Sequence, residues 1–148
     1  PFLEYSQKMK GAYILNRTSN KGAKDFQNLK LDSGEFLYQN VSKKIIEWSK
    51  KYPGTGAVVG ATSLIELENI AQIYTRHNIP LLIPGVGSQG GSVKEVVNVL
   101  KNVGYNLEIV RINSSSGISF PWKKQNKVPQ NWVEVCVNEL AKLNEETR

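Results

Sequence analysis

The chain has 148 residues and carries 19 lysines and arginines against 13 aspartates and glutamates, a formal net charge of +6. No stretch approaches the roughly 18 apolar residues of a membrane span, and nothing reads as a secretory-type leader. One cysteine and one histidine leave disulfide scaffolds, His-based metal sites and Cys–His catalysis without support. The charge favours anionic partners such as phosphates, but the lysines are scattered and lack the aromatic interleaving of single-strand binders, which argues against a nucleic-acid module.

Residues 1–10 read as the end of a helix, and residues 11–19 as a strand that closes in the polar Thr18-Ser19-Asn20. A loop then runs to Asp32. Asp32 and Glu35 have capping-box spacing, and Leu37, Val41, Ile45 and Trp48 form a helical apolar stripe that Pro53-Gly54 ends. Residues 56–61 are a compact apolar run, which suits a strand buried on both faces. Thr62 or Ser63 is expected to cap the next helix, with Glu66 at the capping-box position after Ser63; Leu64, Leu67, Ile70, Ala71 and Tyr74 lie on one side, with a stop near Asn78. The lone His77 falls in that polar helix end and is expected to face solvent. Leu81 to Ile83 read as a third strand, followed by a glycine-rich turn. Ser92 with Glu95 again has capping-box spacing, and Val93, Val96, Val97, Leu100 and Val103 make the stripe before Gly104. Residues 107–112 read as a fourth strand, followed by a polar connection. Pro129 is expected in the first turn of a last helix, whose apolar side carries Trp132 or Val133, Cys136, Val137, Leu140 and Leu143. Cys136 reads as a small core residue, and residues 144–148 should fray.

Compact apolar strands alternating with helices predict parallel strands joined by right-handed crossovers. A doubly wound sheet and a piece of a (βα)8 barrel both fit. Four units, with Pro1 first and Met9 the only methionine, suit half of a barrel of about 250 residues, either processed or part of a longer protein. Every polar cluster follows a strand, and in either fold that edge binds ligands. The strand, glycine turn and helix start at residues 80–96 form a candidate anion site, because glycines admit close approach and first-turn N–H groups lack intrahelical partners. Gln89 is the long polar side chain of that turn. A tight connection that binds nothing is the competing reading.

Four segments then occur in order: Arg17-Thr18-Ser19-Asn20-Lys21-Gly22-Ala23-Lys24-Asp25-Phe26-Gln27, Val59-Gly60-Ala61-Thr62, Pro84-Gly85-Val86-Gly87-Ser88-Gln89-Gly90-Gly91 and Ile112-Asn113-Ser114-Ser115. Together they closely resemble the C-terminal half of the orotidine 5′-phosphate decarboxylase family, in its longer bacterial-type subfamily. The resemblance implies that residues 1–148 are the second half of one α/β (βα)8 TIM barrel, with strands one to four absent from the chain. It implies a cofactor-independent decarboxylation of orotidine monophosphate (OMP) to uridine monophosphate (UMP) in pyrimidine biosynthesis, by a cytoplasmic homodimer that needs no metal, nucleic acid or membrane. It makes Ser19 the pyrimidine contact and Gln89 the bridge between pyrimidine and phosphate on a flexible loop. Gly90 and Gly91 become the neighbours whose backbone meets the phosphate.

Two departures matter. Lys21 stands where the family usually has proline, and Ser116 stands where it has a phosphate-binding arginine. As a phosphate ligand Ser116 brings a hydroxyl but no charge and no bidentate fork, which predicts a weaker grip or a cation from Arg111, Lys123 or Lys124. The family's catalytic Asp and Lys network lies on early strands, and no Asp-x-Lys-x-x-Asp pattern occurs here. This chain is therefore expected to hold no catalytic residue, to be inactive alone, and to expose two sheet edges and an apolar inner face that the missing half would cover. The competing functions are a related sugar-phosphate-binding barrel enzyme with different chemistry and a non-enzymatic basic module.

Overall fold

In the computed structural model, which describes residues 2–87, 89–125 and 127–147 (backbone alone at 7 and 124), the four apolar runs become four short strands: β1 (Ala12–Arg17), β2 (Thr55–Val59), β3 (Leu81–Pro84) and β4 (Val110–Asn113). They lie side by side in chain order, and every pairing is parallel. The crossovers are α2 (Leu37–Lys51), α3 (Leu64–Tyr74) and α4 (Val93–Asn102), and α6 (Trp132–Glu145) follows β4. An unreversed parallel order with a helix after each strand is the pattern of a partial (βα)8 barrel; a doubly wound sheet reverses its strand order.

The two faces of the sheet differ. Ala57, Val59, Leu81 and Ile83 point toward the helices and are buried against Tyr38 and Ile45 of α2, Leu67, Ile70 and Tyr74 of α3, and Val96 and Leu100 of α4. The alternate strand positions face the other way. There Tyr13 is 44% and Leu15 57% exposed, and the Tyr13 ring lies across Gly56, where a Cβ would come within 2.7 Å of it. β1 and β4 form the margins of the sheet among the described residues. The expected apolar face and two open edges are both present.

Local structure departs from the sequence reading in several places. Residues 1–10 hold a 3-10 helix (Leu3–Lys8). The loop before Asp32 contains a short helix, α1 (Ala23–Gln27). Asp32 and Glu35 do not cap α2; residues 31–35 close a turn in which the Leu31 N–H donates to Glu35 O at 2.8 Å. The helix starts after Phe36, whose N–H donates to Gln39 Oε1 at 2.9 Å. Ser63 does flank α3, but its hydroxyl is bonded to the Glu66 carboxylate and not to a backbone amide. Ser92 caps α4 as expected, accepting the Glu95 N–H at 3.3 Å. β4 begins late because Leu107–Ile109 form a 3-10 turn, and the polar connection after it winds into α5 (Ser115–Ser119).

The last helix differs most. It begins at Trp132, beyond Pro129, and no described residue of it is buried. Trp132, Val133, Val137 and Leu140 remain exposed, although Leu143 packs against the core. Cys136 is half-buried, with Sγ 3.9 Å from Ser119 O, and is not a core residue. The reason is positional: α6 follows a marginal strand and packs mainly on α5, so its apolar side has only a partial neighbour. Among the described residues no helix is long and apolar enough to cross a membrane.

Leu100 is fully buried between α4 and the sheet. Leu100→Ala should destabilise the fold by about 2–5 kcal/mol, read as a lower urea midpoint with an unchanged slope.

Candidate functional site

The site begins with an irregularity in β1. Leu15 pairs with Val58 and Arg17 with Val59, leaving Asn16 as an extra residue. Such a bulge re-aims the side chains around it, and here both Asn16 and Arg17 turn toward the helices. Asn16 Nδ2 donates to Ser42 Oγ at 2.7 Å and to Tyr74 Oη at 2.9 Å. Burial pushes the Tyr74 phenol up, beyond the hydrogen bonds that favour its ionised form, so it stays neutral. Arg17 is buried against Glu66 on α3.

The chain then crosses the C-terminal ends of the neighbouring strands. Ser19 lies so close to Gly60, after β2, that a Cβ there would sit 2.6 Å from Ser19 N and Cα. A Cβ on Gly85, after β3, would sit 2.7 Å from Ser19 Cβ and 3.3 Å from Gln89 Oε1. Gly85 also has φ of +100°, which L side chains rarely adopt. Thr62 Oγ1 donates to Ser19 O at 2.7 Å, and Ser19 Oγ donates to Gln89 Oε1 at 2.5 Å. The structure thus joins Ser19 and Gln89, which lie 70 residues apart in the chain.

Gly90 and Gly91 occupy the same turn. The Gly90 N–H donates to Gly87 O at 2.9 Å and the Gly91 N–H to Gly85 O at 3.0 Å, while the Gly87 N–H donates to Gly91 O at 2.9 Å. Both amides named from the sequence are therefore bonded within the turn. Ser88 of the same motif lies outside the described residues.

Ser116 sits elsewhere, on α5, in a cleft of about 440 Å³ that it shares with Phe120, Trp122, Lys123 and Lys127. Lys123 thus lies in the same cleft as Ser116. Arg111 is turned back on the residues just before it, donating to the carbonyls of Glu108 and Val110 at 2.9 Å each. The side chain of Lys124 lies outside the described residues. The residue that links this connection to the glycine turn is Ser114, which sequence reasoning did not single out. It is buried, and its Oγ donates to Val86 O at 3.4 Å. The available signal was Gly117 three residues on: a Cβ there would fall 2.5 Å from Ser114 Oγ.

The Glu66 carboxylate has a depressed pKa. Burial raises its pKa, but hydrogen bonds from Ser63, from Asn28 Nδ2 at 2.7 Å and from its own backbone N–H, with the Arg17 charge, outweigh that and leave it below the ordinary value. Among the described residues no three His, Cys, Asp or Glu side chains gather as a metal-ligand set.

No protein-family model matches the chain. It is 42% identical over 113 residues to an orotidine 5′-phosphate decarboxylase of Dehalococcoides mccartyi, a match covering 74% of this chain and 40% of the relative. It is 33% identical over 153 aligned positions to the orotidine 5′-phosphate decarboxylase of Clostridium tetani, covering 99% of this chain and 51% of that one. The chain spans about half the length of the curated relatives it matches. Among solved structures, that of the Leishmania donovani OMP decarboxylase superposes with a TM-score of 0.70 over 99% of this chain and 51% of its own, at 24% identity. That likeness bears on the fold alone, and the fold it supports is the partial barrel.

Gly60→Ala should cost about 1–3 kcal/mol, the usual penalty of overpacking, measured as a lowered unfolding midpoint, because the Ser19 backbone stands in the way. Glu66 also predicts a pH effect. Its folded pKa is depressed, so its contribution is present above the unfolded value near 4.5 and is lost as pH falls through the folded value. Glu66→Gln should therefore flatten the acid limb of the stability profile in denaturation measured from neutral to acid pH.

Proposed function

The chain is related to the orotidine 5′-phosphate decarboxylases across about half of their length, and from that premise we propose that the complete protein converts OMP to UMP and carbon dioxide. In this reading residues 1–148 are the C-terminal half of one TIM-barrel domain. The other half pairs with the open edges of β1 and β4 and covers Tyr13 and Leu15. The complete protein is a cytoplasmic homodimer.

The reaction breaks the bond between pyrimidine C6 and its carboxylate. Carbon dioxide leaves, and the electron pair left on C6 takes a proton from a lysine of the other half, with no cofactor. The described residues of this chain bind and orient. Ser19 Oγ contacts the pyrimidine, and the Gln89 carboxamide spans pyrimidine and phosphate. Gly90 and Gly91 exchange their turn bonds for phosphate oxygens as the loop closes on the nucleotide. Ser116 adds a hydroxyl at the phosphate end, and Lys123 in its cleft supplies charge. Contacts at the phosphate stabilise the closed loop and so lower the barrier at a distant carbon. The chain alone binds without turnover.

The observation that carries this reading is the Ser19–Gln89 hydrogen bond, which ties the loop after β1 to the turn after β3 at the C-terminal edge of the sheet. The complete protein should release carbon dioxide from OMP, and Gln89→Ala should raise KM for OMP about ten- to a hundredfold, the size expected for lost hydrogen bonds to a charged group. Steady-state kinetics check this; a complete protein without turnover on OMP contradicts it.

A further inference from the structure

The turn that carries Ser19 is held from beneath by a part-buried ion pair to which the reading above gives no role. The Arg17 side chain is 6% and the Glu66 side chain 13% exposed. Arg17 Nη1 donates to Thr18 O at 2.7 Å, and Nη2 reaches Glu66 Oε1 at 3.4 Å. Glu66 also accepts from Asn28, at the end of α1, and from Ser63, at the start of α3. One carboxylate in the first turn of α3 therefore gathers the end of β1, the tail of α1 and the entry to its own helix.

This is an inefficient way to add stability. Desolvating both charges offsets most of their attraction, and an apolar pair of similar volume usually does as well. Arg17 Nε is moreover buried without a hydrogen-bond partner. What the pair does determine is direction. It fixes the Thr18 carbonyl, next to the residue whose hydroxyl meets Gln89. Other supports of the turn are Thr62 Oγ1 on Ser19 O at 2.7 Å, Gln27 Oε1 on the Thr18 N–H at 2.9 Å, Gln27 Nε2 on Thr18 Oγ1 at 3.2 Å and the Gly60 N–H on Arg17 O at 2.7 Å; none of these engages the Arg17 or Glu66 side chain.

We propose that Glu66, acting through Arg17 and the Thr18 carbonyl, is a positioning residue that presents Ser19 to Gln89 and so sets how tightly the pyrimidine end of a bound nucleotide is held. The proposal rests on the reading of Ser19 and Gln89 as the nucleotide clasp. Its test is a double-mutant cycle in the complete protein, Glu66→Gln with Ser19→Ala, read as UMP affinity by calorimetry alongside amide hydrogen exchange. Glu66→Gln should weaken UMP binding about three- to tenfold, within the range of coupled neighbours. In the Ser19→Ala background it should cost almost nothing further. Exchange should accelerate at residues 18–20 while residues 93–102 of α4 keep their rate. An equal loss of affinity in both backgrounds, or acceleration spread evenly over the chain, overturns the proposal. If the unaltered protein binds no UMP, the clasp reading fails; local acceleration at residues 18–20 then still upholds the positioning role, and uniform acceleration overturns it. Should Glu66→Gln not fold, Arg17→Lys keeps the charge, loses the two-pronged guanidinium and is scored the same way.

Discussion

The close approach of Ser19 to Gly60 and Gly85 is the constraint on which the site depends. Two loops that lie far apart in sequence can exchange a side-chain hydrogen bond only if their backbones nearly touch. Any side chain at either glycine would stand 2.6–2.7 Å from Ser19. The bulge at Asn16 brings the chain to that point by turning two successive side chains into the helical layer, where Asn16 and Arg17 find polar partners on α2 and α3. Sheet register, helix surface and loop contact are therefore one arrangement. A change in any of them moves the serine hydroxyl.

The two faces of the sheet explain how such a site fits a half-barrel. The helical side carries the apolar core and is closed by Ile45, Leu67, Ile70, Val96 and Leu100. The opposite side leaves Tyr13 and Leu15 exposed, and among the described residues β1 and β4 are the margins of the sheet. The Ser19–Gln89 contact lies at the C-terminal ends of the strands, the edge where parallel α/β architectures favour ligand sites. It joins the loops after β1 and β3, supported by Thr62 after β2 and Ser114 after β4.

Much of this was legible in the residues. Compact apolar runs marked β2 and β3, because the side chains on both faces of these strands are apolar or small. Ser92 and Glu95 marked the start of α4, because a hydroxyl three residues before an amide satisfies it directly. The family resemblance assigned Ser19 and Gln89 to one nucleotide, but the hydrogen bond between them came only with the fold. Other features escaped because they depend on tertiary context. Asp32 and Glu35 have the spacing of a cap but are consumed by a turn. The stripe on α6 has helical period, yet period alone does not say what covers it. Ser114 was hidden by the exposed polar neighbours Asn113 and Ser115, and only the fold turns it inward toward Val86. Ser63 and Glu66 were correctly paired, but their bond serves Arg17 and the loop after β1.

In the proposed function Ser19 and Gln89 form one clasp for a pyrimidine nucleotide. The most direct measurement is a crystal structure of the complete protein with UMP bound. The pyrimidine is expected within hydrogen-bond distance of Ser19 Oγ, the Gln89 carboxamide between base and phosphate, and the phosphorus beside Gly90 and Gly91. A nucleotide seated away from that edge of the sheet, with Ser19 and Gln89 still bonded only to each other, would contradict it.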